Sequence, residues 1–442
     1  MTDCNREPLL FSSLDRQEIV ADFNGGRLTS DAGGLLLREA DRRLGLTRKL
    51  AACLPDPRHP LLIVHEQETM LAQRIFGIAL GYEDLNDHDT LRTDPLFAVL
   101  ANKKPEADEP LASSPTLCRL ENRVARQSLA RLAEVFVETF IASYKRPPEK
   151  LILDFDATDD RVHGQQEGRF FHGYYDDYCF LPLYVFCGDQ LLVGYLRPSN
   201  IDGALHSRAI LKLLVRRFRQ VWPKVRIVLR ADAGFCRWRT MRWCEKHGVF
   251  YVLGLARNSV LEALAQPFAQ AAAAAFQQTH EKQRHFHEVQ YAAETWDRER
   301  RVIVKAEHLS LGPNTRLVVT NLTDPTPQEV YDGLYTARGD MENRVKEQQL
   351  GLFADRTSCH KFLANQFRVL LASAAYVLLE HLRRTVLQGT ELASAQVSTI
   401  RLKLLKVAAR VVTSVRRVVF HLASSYPLQA LFRQIVKRLV PQ

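Results

Sequence analysis

The sequence has few cysteines and no long apolar segment, and both absences narrow the class of protein. Its eight cysteines are scattered over 442 residues, and no two have the Cys-x-x-Cys spacing of a zinc ribbon. This argues against a zinc or disulfide framework and for a reducing compartment. The first ten residues contain no apolar signal core, and the charge-free apolar run at 369–379 is too short to span a membrane. We therefore expect a cytoplasmic protein.

Acidic residues are absent from the end of the chain. No Asp or Glu follows Glu391, whereas nine Lys and Arg residues lie in the final 51 positions. The net charge of the whole chain is +10, so the first 391 residues together carry only about +1. Such a basic segment suits a polyanion, most simply a nucleic acid backbone. The plainer alternative is a solvated basic end that has no partner.

Changes in pattern along the chain predict four parts. Residues 1–148 are mainly helical and end at a Pro-Pro pair, and we expect a separate N-terminal DNA-binding domain there, although no sharp helix-turn-helix pattern occurs. Residues 149–255 and 323–360 form the predicted catalytic core. Residues 256–322 are expected to form a β-rich insertion subdomain. Residues 361–442 form a basic, mainly helical C-terminal region.

The predicted core has an α/β pattern. Apolar runs at 151–156, 181–186 and 191–196 predict three consecutive strands, and helices then alternate with strands as far as residue 255. This order is that of the ribonuclease-H-like fold, which is a mixed sheet with helices on both faces. The first and fourth strands are neighbours in that fold, so residues at the ends of these two strands should converge.

Acidic residues lie at the ends of both of these strands. Asp154 and Asp156 end the first strand on the same face, and Asp232 ends the fourth. A lone Asp at a strand end is usually a turn former or a helix cap. Two neighbouring strands that both end in Asp are harder to explain in that way. Carboxylate ligands without His or Cys suit Mg²⁺ or Mn²⁺.

A third acidic residue lies on a helix that begins at a strong start signal. Thr326 and Glu329 have capping-box spacing, with Pro at the first helical position. At 100° per residue, one face spanning roughly 80° carries a set of polar side chains: Tyr335, Arg338, Glu342, Lys346 and Gln349. The plainer reading is a solvated face with charge pairs four residues apart. The two aspartate-ended strands favour an acidic site instead.

Several motifs together resemble one family of enzymes. The segments LDFDATDD and VLRADAGF, followed by Tyr-x2-Arg-x3-Glu, resemble the DDE transposases of bacterial insertion sequences. The segments HGQQEGRFFHGYYDD, GLFADRTSCH and LTSDAGGLLLREA resemble the insertion-sequence 1380 group, which is related to the insertion-sequence 4 group. The resemblance extends from about Gln17 to Leu439. It implies a bacterial, nucleoid-associated enzyme that binds double-stranded DNA.

The resemblance also implies roles for individual residues. Asp156, Asp232 and Glu342 would be the catalytic residues and would hold Mg²⁺, for which Mn²⁺ can substitute; Asp154 is the rival of Asp156 as the first ligand. Arg338 would bind a phosphate, and Tyr335 would donate a hydrogen bond to a phosphate oxygen. The family's Lys, seven residues after the Glu, is replaced here by Gln349. Lys346 lies on the same face and is the alternative DNA contact.

The implied function is cut-and-paste transposition. The enzyme would bind terminal inverted repeats as a homodimer on paired ends, cleave the DNA and transfer the strands to target DNA. Trp296 is the only Trp in the insertion and could stack on a DNA base, the alternative being simple packing. Two other functions stay open: a nuclease of the same fold that only hydrolyses DNA, and an inactive DNA-binding derivative.

Overall fold

The computed structural model describes residues 8–105 and 109–440 and divides the chain into two compact units. Unit 1 combines the chain up to Arg123 with the chain from Ala374 onward, and unit 2 comprises Val124–Ser373. This division differs from the four predicted parts in two respects. Residues 124–148 belong to unit 2, because the helix that they form packs against a strand of the core. The N-terminal and C-terminal regions share one unit.

The N-terminal part of unit 1 is largely helical, as predicted, and begins with short strands. Its elements are β1 (Leu9–Leu14), β2 (Gln17–Ala21), β3 (Leu28–Thr29), α1 (Gly34–Leu44), α2 (Leu46–Ala52), α3 (Gln67–Leu80), α4 (Asp87–Leu91), α5 (Pro95–Leu100) and α6 (Ser114–Asn122). Helix α1 ends at Gly45, whose φ of 61° is the left-handed conformation that favours glycine at a helix end.

Unit 2 contains the predicted alternation of strands and helices. Its elements are α7 (Arg126–Ala142), β4 (Lys150–Ala157), β5 (Asp160–Arg161), β6 (Phe170–His172), β7 (Asp177–Phe180), β8 (Leu183–Cys187), β9 (Gln190–Tyr195), α8 (Ser207–Val221), β10 (Arg226–Ala231), α9 (Trp238–Lys246), β11 (Phe250–Gly254), α10 (Ser259–Thr279), β12 (Gln283–Tyr291), β13 (Arg300–Leu309), β14 (Gly312–Pro313), β15 (Arg316–Thr320) and α11 (Gly339–Lys346).

The last part of the described chain contains three α-helices and two strands. Helix α12 (Phe362–Thr385) runs across the boundary between the units, and unit 1 continues with α13 (Val397–Ile400), β16 (Ala409–Thr413), β17 (Val418–Leu422) and α14 (Gln429–Leu439). Strands β17, β16 and β3 form a small antiparallel sheet in that order. The predicted basic C-terminal region therefore includes a β-hairpin as well as helices.

A large mixed sheet is the centre of unit 2. Its strand order is β12-β13-β15-β11-β10-β4-β8-β9, with β14 paired to β13. Strand β10 is parallel to both β4 and β11, and the remaining pairs are antiparallel. The predicted adjacency of the first and fourth core strands is therefore present as the pair β4 and β10. The insertion strands are not a separate sheet, because β15 is hydrogen-bonded to β11 and extends the core sheet.

Alternation along the strands gives this sheet two apolar faces. Leu153 and Phe155 of β4, with Leu229 of β10, face one buried cluster that also contains residues of α7, α8, α9 and α10. The residues between them face the opposite side, where Val228 packs with Val330 of a later helical segment. Each fully buried aromatic or aliphatic side chain in these layers contributes roughly 1.5–3 kcal/mol. By the same alternation, Asp154 lies on the side of the later helical segment.

That helical segment runs from Glu329 to Gly351 and changes its winding along its length. Residues 329–335 and 347–351 are wound as π-helix, and α11 lies between them after a short 3₁₀ turn. The predicted capping box is present: the Thr326 backbone N–H donates to Glu329 Oε2 at 2.8 Å, and the Glu329 N–H donates to Thr326 Oγ1 at 3.3 Å. Wide turns of this kind frequently occur at functional sites.

Helix α12 is long and apolar enough to cross a membrane by length and composition alone. Of its apolar window, 89% is buried inside the protein, which is the position of a core helix. None of the seven cysteines within the described residues forms a disulfide, and Cys4 lies outside those residues.

Candidate active site

The strand register brings two of the predicted carboxylates to the same edge of the sheet. In the parallel pair of β4 and β10, Asp154 lies beside Arg230 and Phe155 beside Ala231. Continued by one residue, this register sets Asp156 beside Asp232. Both side chains belong to the sheet face that carries α11, because residues two apart share a face. Helix α11 packs on β4 and brings Glu342 to this face.

Asp154 is already committed to a protein partner. Its carboxylate is buried and forms a bidentate ion pair with Arg230, in which Nη2 donates to Oδ2 at 2.7 Å and Nε donates to Oδ1. Arg230 also donates from Nη1 to the Leu334 carbonyl at 2.6 Å, which ties β10 to the helical segment. Burial raises the pKa of Asp154, and Arg230 opposes this rise. Asp154 thus has a structural role that accounts for both of its oxygens.

Among the described residues, the Asp156 side chain makes fewer hydrogen bonds with protein partners than that of Asp154 does. The Ala157 backbone N–H donates to Asp156 Oδ1 at 2.9 Å, and Arg338 Nη1 lies 3.5 Å from Oδ2. Burial raises the pKa of Asp156 to about 7. The negative charges of Asp232 and Glu342 add to this rise, and the Arg338 guanidinium opposes it. Asp156 is therefore a carboxylate short of positive charge, which is the condition that a cation would relieve.

Asp232 and Glu342 complete the group that we call the carboxylate cluster, namely Asp156, Asp232 and Glu342. Asp232 Oδ1 is buried and accepts no hydrogen bond from the described part of the chain. Glu342 is exposed, and its Oε1 accepts a hydrogen bond from Arg338 Nη2 at 2.6 Å. The guanidinium of Arg338 thus contacts two members of the cluster and interacts electrostatically with the third.

Divalent cations suit this donor set. All three side chains offer carboxylate oxygens, and the unpartnered Asp232 Oδ1 is the kind of orphaned atom that a metal ion would satisfy. Among the described residues, no three His, Cys, Asp or Glu side chains lie in a ready arrangement to hold one ion. The side chains fit a metal by chemistry, with Arg338 supplying the positive charge between them.

Tyr335 lies against the turn that follows β10. A Cβ atom at Gly254 would lie 2.6 Å from Tyr335 Oη and 2.7 Å from the Ala233 backbone nitrogen, so glycine is required for this close approach. Burial raises the pKa of Tyr335, and the nearby Arg338 opposes the rise. The phenol is therefore held next to the turn that carries Asp232.

Gln349 is hydrogen-bonded inside the protein. Its Nε2 donates to the Asp159 carbonyl and to Asp160 Oδ1, both at 2.8 Å, and its Oε1 accepts from Thr158 Oγ1 at 3.3 Å. It therefore fastens the helical segment to the loop after β4. Burial raises the pKa of Asp160 to about 8. The sequence indicated the position of Gln349 but not its partners, because contacts with a loop about 190 residues away leave no local pattern.

The two other predicted DNA contacts differ in exposure. Lys346 is exposed on α11, and its contact with DNA stays a prediction. Trp296 packs against the buried cluster of unit 2, with Tyr291 edge-on at 5.4 Å and the Arg300 guanidinium over its ring at 5.3 Å. These contacts match the packing alternative for Trp296, and its role in DNA binding stays a prediction.

This geometry fits an enzyme that transfers phosphoryl groups on DNA, and comparison with known proteins identifies the class. Residues 11–442 match the family model described as "Transposase DDE domain group 1". The chain belongs to this family, and the protein is a DDE transposase that cleaves DNA.

Among solved structures, the chain is similar to a cryo-EM structure of the piggyBac transposase synaptic complex with hairpin DNA. The identity is 10%, the match covers 94% of this chain and 86% of that chain, and the TM-score is 0.38. No curated protein matches the sequence.

Proposed function

We propose that the protein is the transposase of a bacterial insertion sequence of the 1380 group, acting on DNA in the cytoplasm by Mg²⁺-dependent cut-and-paste transposition. The observation that carries the proposal is the Arg338 guanidinium, which contacts Asp156 and Glu342 while Asp232 lies beside them with a buried, unpartnered oxygen. Two strands and a helix each contribute a carboxylate to the surroundings of this guanidinium. Such a group of carboxylates is typical of a site that binds positive charge.

The strand order supports a ribonuclease-H-like core for this enzyme. Strands β9, β8 and β4 form an antiparallel run, to which the parallel strands β10 and β11 are added. Helices cover both faces, and the cluster lies where β4 and β10 end. In this arrangement the insertion 256–322 lengthens the sheet just before the helix that carries Glu342.

The residues of the cluster have distinct roles in the proposed reaction. Asp156, Asp232 and Glu342 would hold Mg²⁺, or Mn²⁺ in its place, which supplies charge stabilisation to the attacking and leaving oxygens of a phosphodiester. Arg338 reaches into the same cluster and would bind a phosphate through its planar guanidinium. Tyr335 would donate its hydroxyl hydrogen to a phosphate oxygen. Lys346 and the basic C-terminal residues would contact the DNA backbone.

The test is cleavage and joining of a duplex that carries the terminal repeat of the element. Asp156→Asn, Asp232→Asn and Glu342→Gln are each expected to reduce cleavage below roughly one hundredth of the wild-type rate, because even partners of metal ligands matter 10–100-fold. DNA binding should persist in all three variants. The matched control is Asp340→Asn, an exposed acid on the same helix, which should cleave normally. Undiminished cutting by Asp232→Asn contradicts the assigned role.

Two alternatives give different results in the same assay. A nuclease of the same fold would cut the duplex but never join its 3′ ends to a second DNA, whereas a transposase forms the joined product. An inactive derivative would bind the ends and yield neither product. The presence of all three carboxylates, with Asp156 and Glu342 sharing one guanidinium, speaks against the inactive derivative. The joining assay decides between the transposase and the nuclease.

A further inference from the structure

The N-terminal hairpin of β1 and β2 is exposed along its whole length. Every residue from 8 to 28 is exposed, and within the described residues the two strands pair only with each other. Leu10, Phe11 and Leu14 are 72%, 58% and 63% exposed, which is unusual for such apolar side chains. An isolated two-stranded hairpin is marginally stable in water, so this one needs a partner surface.

Both faces of the hairpin carry apolar cross-strand pairs. Leu9 faces Ala21 and Phe11 faces Ile19 on one side. On the other side, Leu10 faces Val20. A hairpin that lay on the surface of its own unit would need only one apolar face, because the other would meet water. Apolar pairs on both faces are typical of strands that are covered by protein on both sides, as in the interior of an assembly.

The charges of the hairpin make DNA a poor partner. The segment 9–24 contains three acidic residues, Asp15, Glu18 and Asp22, and one basic residue, Arg16. Its net negative charge would repel a phosphate backbone. A protein surface with apolar and basic side chains would suit it better.

The chain itself offers such a surface at β17. Within the described residues this strand pairs with β16 alone, so its outer edge is open to another strand. Val418, Val419 and Leu422 are exposed on it, and Arg416 and Arg417 are exposed in the turn just before it. An open edge strand is a template for strand addition, and the basic turn complements the acidic hairpin.

We propose that the β1–β2 hairpin is a dimerisation arm that docks on the β17 edge of a second copy of this chain. The inference rests on the proposed function, because a transposase that joins paired ends requires two copies. A second copy offers reciprocal contacts, in which each hairpin meets the β17 of the other chain and each edge strand is covered. The carboxylate cluster takes no part in the proposed contact.

The first test measures mass against concentration for the full chain. Phe11→Asp and Val419→Asp are each expected to weaken dimerisation at least tenfold in sedimentation equilibrium, since a buried charge would replace an apolar contact. Leu311→Asp is the matched control, because Leu311 is 97% exposed in a turn of unit 2. A monomeric wild-type protein, or dimers unaffected by Phe11→Asp, would overturn the proposal. Circular dichroism should show every variant folded, since neither site is buried.

A crosslinking experiment identifies the surface that is contacted. A photoreactive benzophenone side chain in place of Phe11, in a mixture of isotopically heavy and light chains, should give heavy–light crosslinks to residues 409–422. Crosslinks confined to one chain mean that the hairpin docks on its own protein and overturn the proposal, as do crosslinks that map elsewhere on the second chain.

Activity assays separate this inference from the proposed function. Phe11→Asp should still bind a single DNA end and nick it with Mg²⁺, while its joined two-end product falls at least tenfold. A wild-type protein that dimerises through the hairpin but never nicks DNA would refute the function and leave the arm intact. Equal two-end product from Phe11→Asp and wild type would overturn the arm.

Discussion

Gln349 donates a hydrogen bond to the buried carboxyl of Asp160, and this bond fastens the helix that carries Glu342 to the loop that follows Asp156. The same amide nitrogen also donates to the Asp159 carbonyl. Two members of the carboxylate cluster are therefore held in register by a residue that is not a ligand. The side chain of Gln349 is thus used for contacts inside the protein.

Removal of this amide should loosen both the fold and the site. Gln349→Ala leaves the buried Asp160 carboxyl without its donor, and we expect a loss of about 1–3 kcal/mol in the free energy of unfolding. Cleavage should fall as well, because Glu342 is less firmly positioned. Urea unfolding and initial cleavage rates measure the two effects. The neighbouring Leu350→Ala, at a 71% exposed residue, should change neither, and a silent Gln349→Ala would contradict the positioning role.

The buried Asp160 makes stability depend on pH. Its pKa is about 8 in the folded protein against an ordinary value of 3.8, so the folded state keeps a proton that the unfolded state releases. Stability from this group is present below pH 3.8 and is lost as pH rises toward 8, by about 1.4 kcal/mol per pH unit. Asp160→Asn cannot ionise, so its advantage over wild type should grow from pH 4 to pH 8 in urea unfolding. Parallel pH curves would contradict this assignment.

The two aspartates of β4 should respond oppositely to neutralisation. Asp154→Asn breaks a buried ion pair with Arg230, and we expect a loss of about 3–5 kcal/mol in the metal-free protein. Asp156→Asn should leave stability unchanged or slightly higher, because it relieves like-charge repulsion, but it should abolish cleavage. Thermal melting paired with the cleavage assay decides between the two residues as first ligand. A stable, inactive Asp154→Asn would reverse the assignment.

Arg338 supplies the positive charge of the cluster in the metal-free protein. Arg338→Gln should lower the melting temperature without metal, and Mg²⁺ should raise it further in this variant than in wild type, because the cation meets uncompensated carboxylates. Differential scanning calorimetry with and without Mg²⁺ measures this. Arg344→Gln, on the same helix, where Arg344 pairs with Glu347, is the control and should keep the wild-type Mg²⁺ response. If Mg²⁺ raised the melting temperature of Arg338→Gln no more than that of wild type, Arg338 would not be the positive charge that the cluster shares.

Substitution of Lys346 should weaken DNA binding, whereas substitution of Trp296 should lower the stability of the fold. Lys346→Ala should weaken DNA binding a few-fold and reduce the salt dependence of the binding constant by about one unit of slope, as for one lost phosphate contact. Trp296→Ala should instead lower stability by about 0.5–3 kcal/mol, because its partly buried ring packs on Tyr291 and Arg300. Fluorescence anisotropy at several salt concentrations measures the DNA affinity. A large affinity loss in folded Trp296→Ala would restore the stacking role.

The sequence predicted those features that leave local patterns. Strand β4 and the capping box at Thr326 follow from hydrophobic alternation and cap spacing, so both are found close to where they were expected. The adjacency of β4 and β10 followed from the order of elements. The shared face of Arg338 and Glu342 followed from helical periodicity, although π-wound turns flank α11.

Other features could not be predicted because they depend on pairing between distant segments. The insertion was expected to form a β-rich subdomain. The pairing of its strand β15 with β11 was not predicted, because nothing in either strand's sequence specifies that partner. The ion pair of Asp154 and Arg230 depends on strand register, which a single sequence does not reveal. The β1–β2 hairpin has short strands with apolar residues on both faces, so the alternation that identifies a half-buried strand is absent.

The continuation of the core sheet through β15 also has a consequence during synthesis of the chain. Strand β11 leaves the ribosome well before β15, so its outer edge stays open while the intervening segment is translated. The helix that carries Glu342 emerges later still. A nascent chain therefore cannot assemble the carboxylate cluster until most of the polypeptide has been synthesised. Truncation between β11 and β15 should give insoluble fragments rather than a hyperactive nuclease.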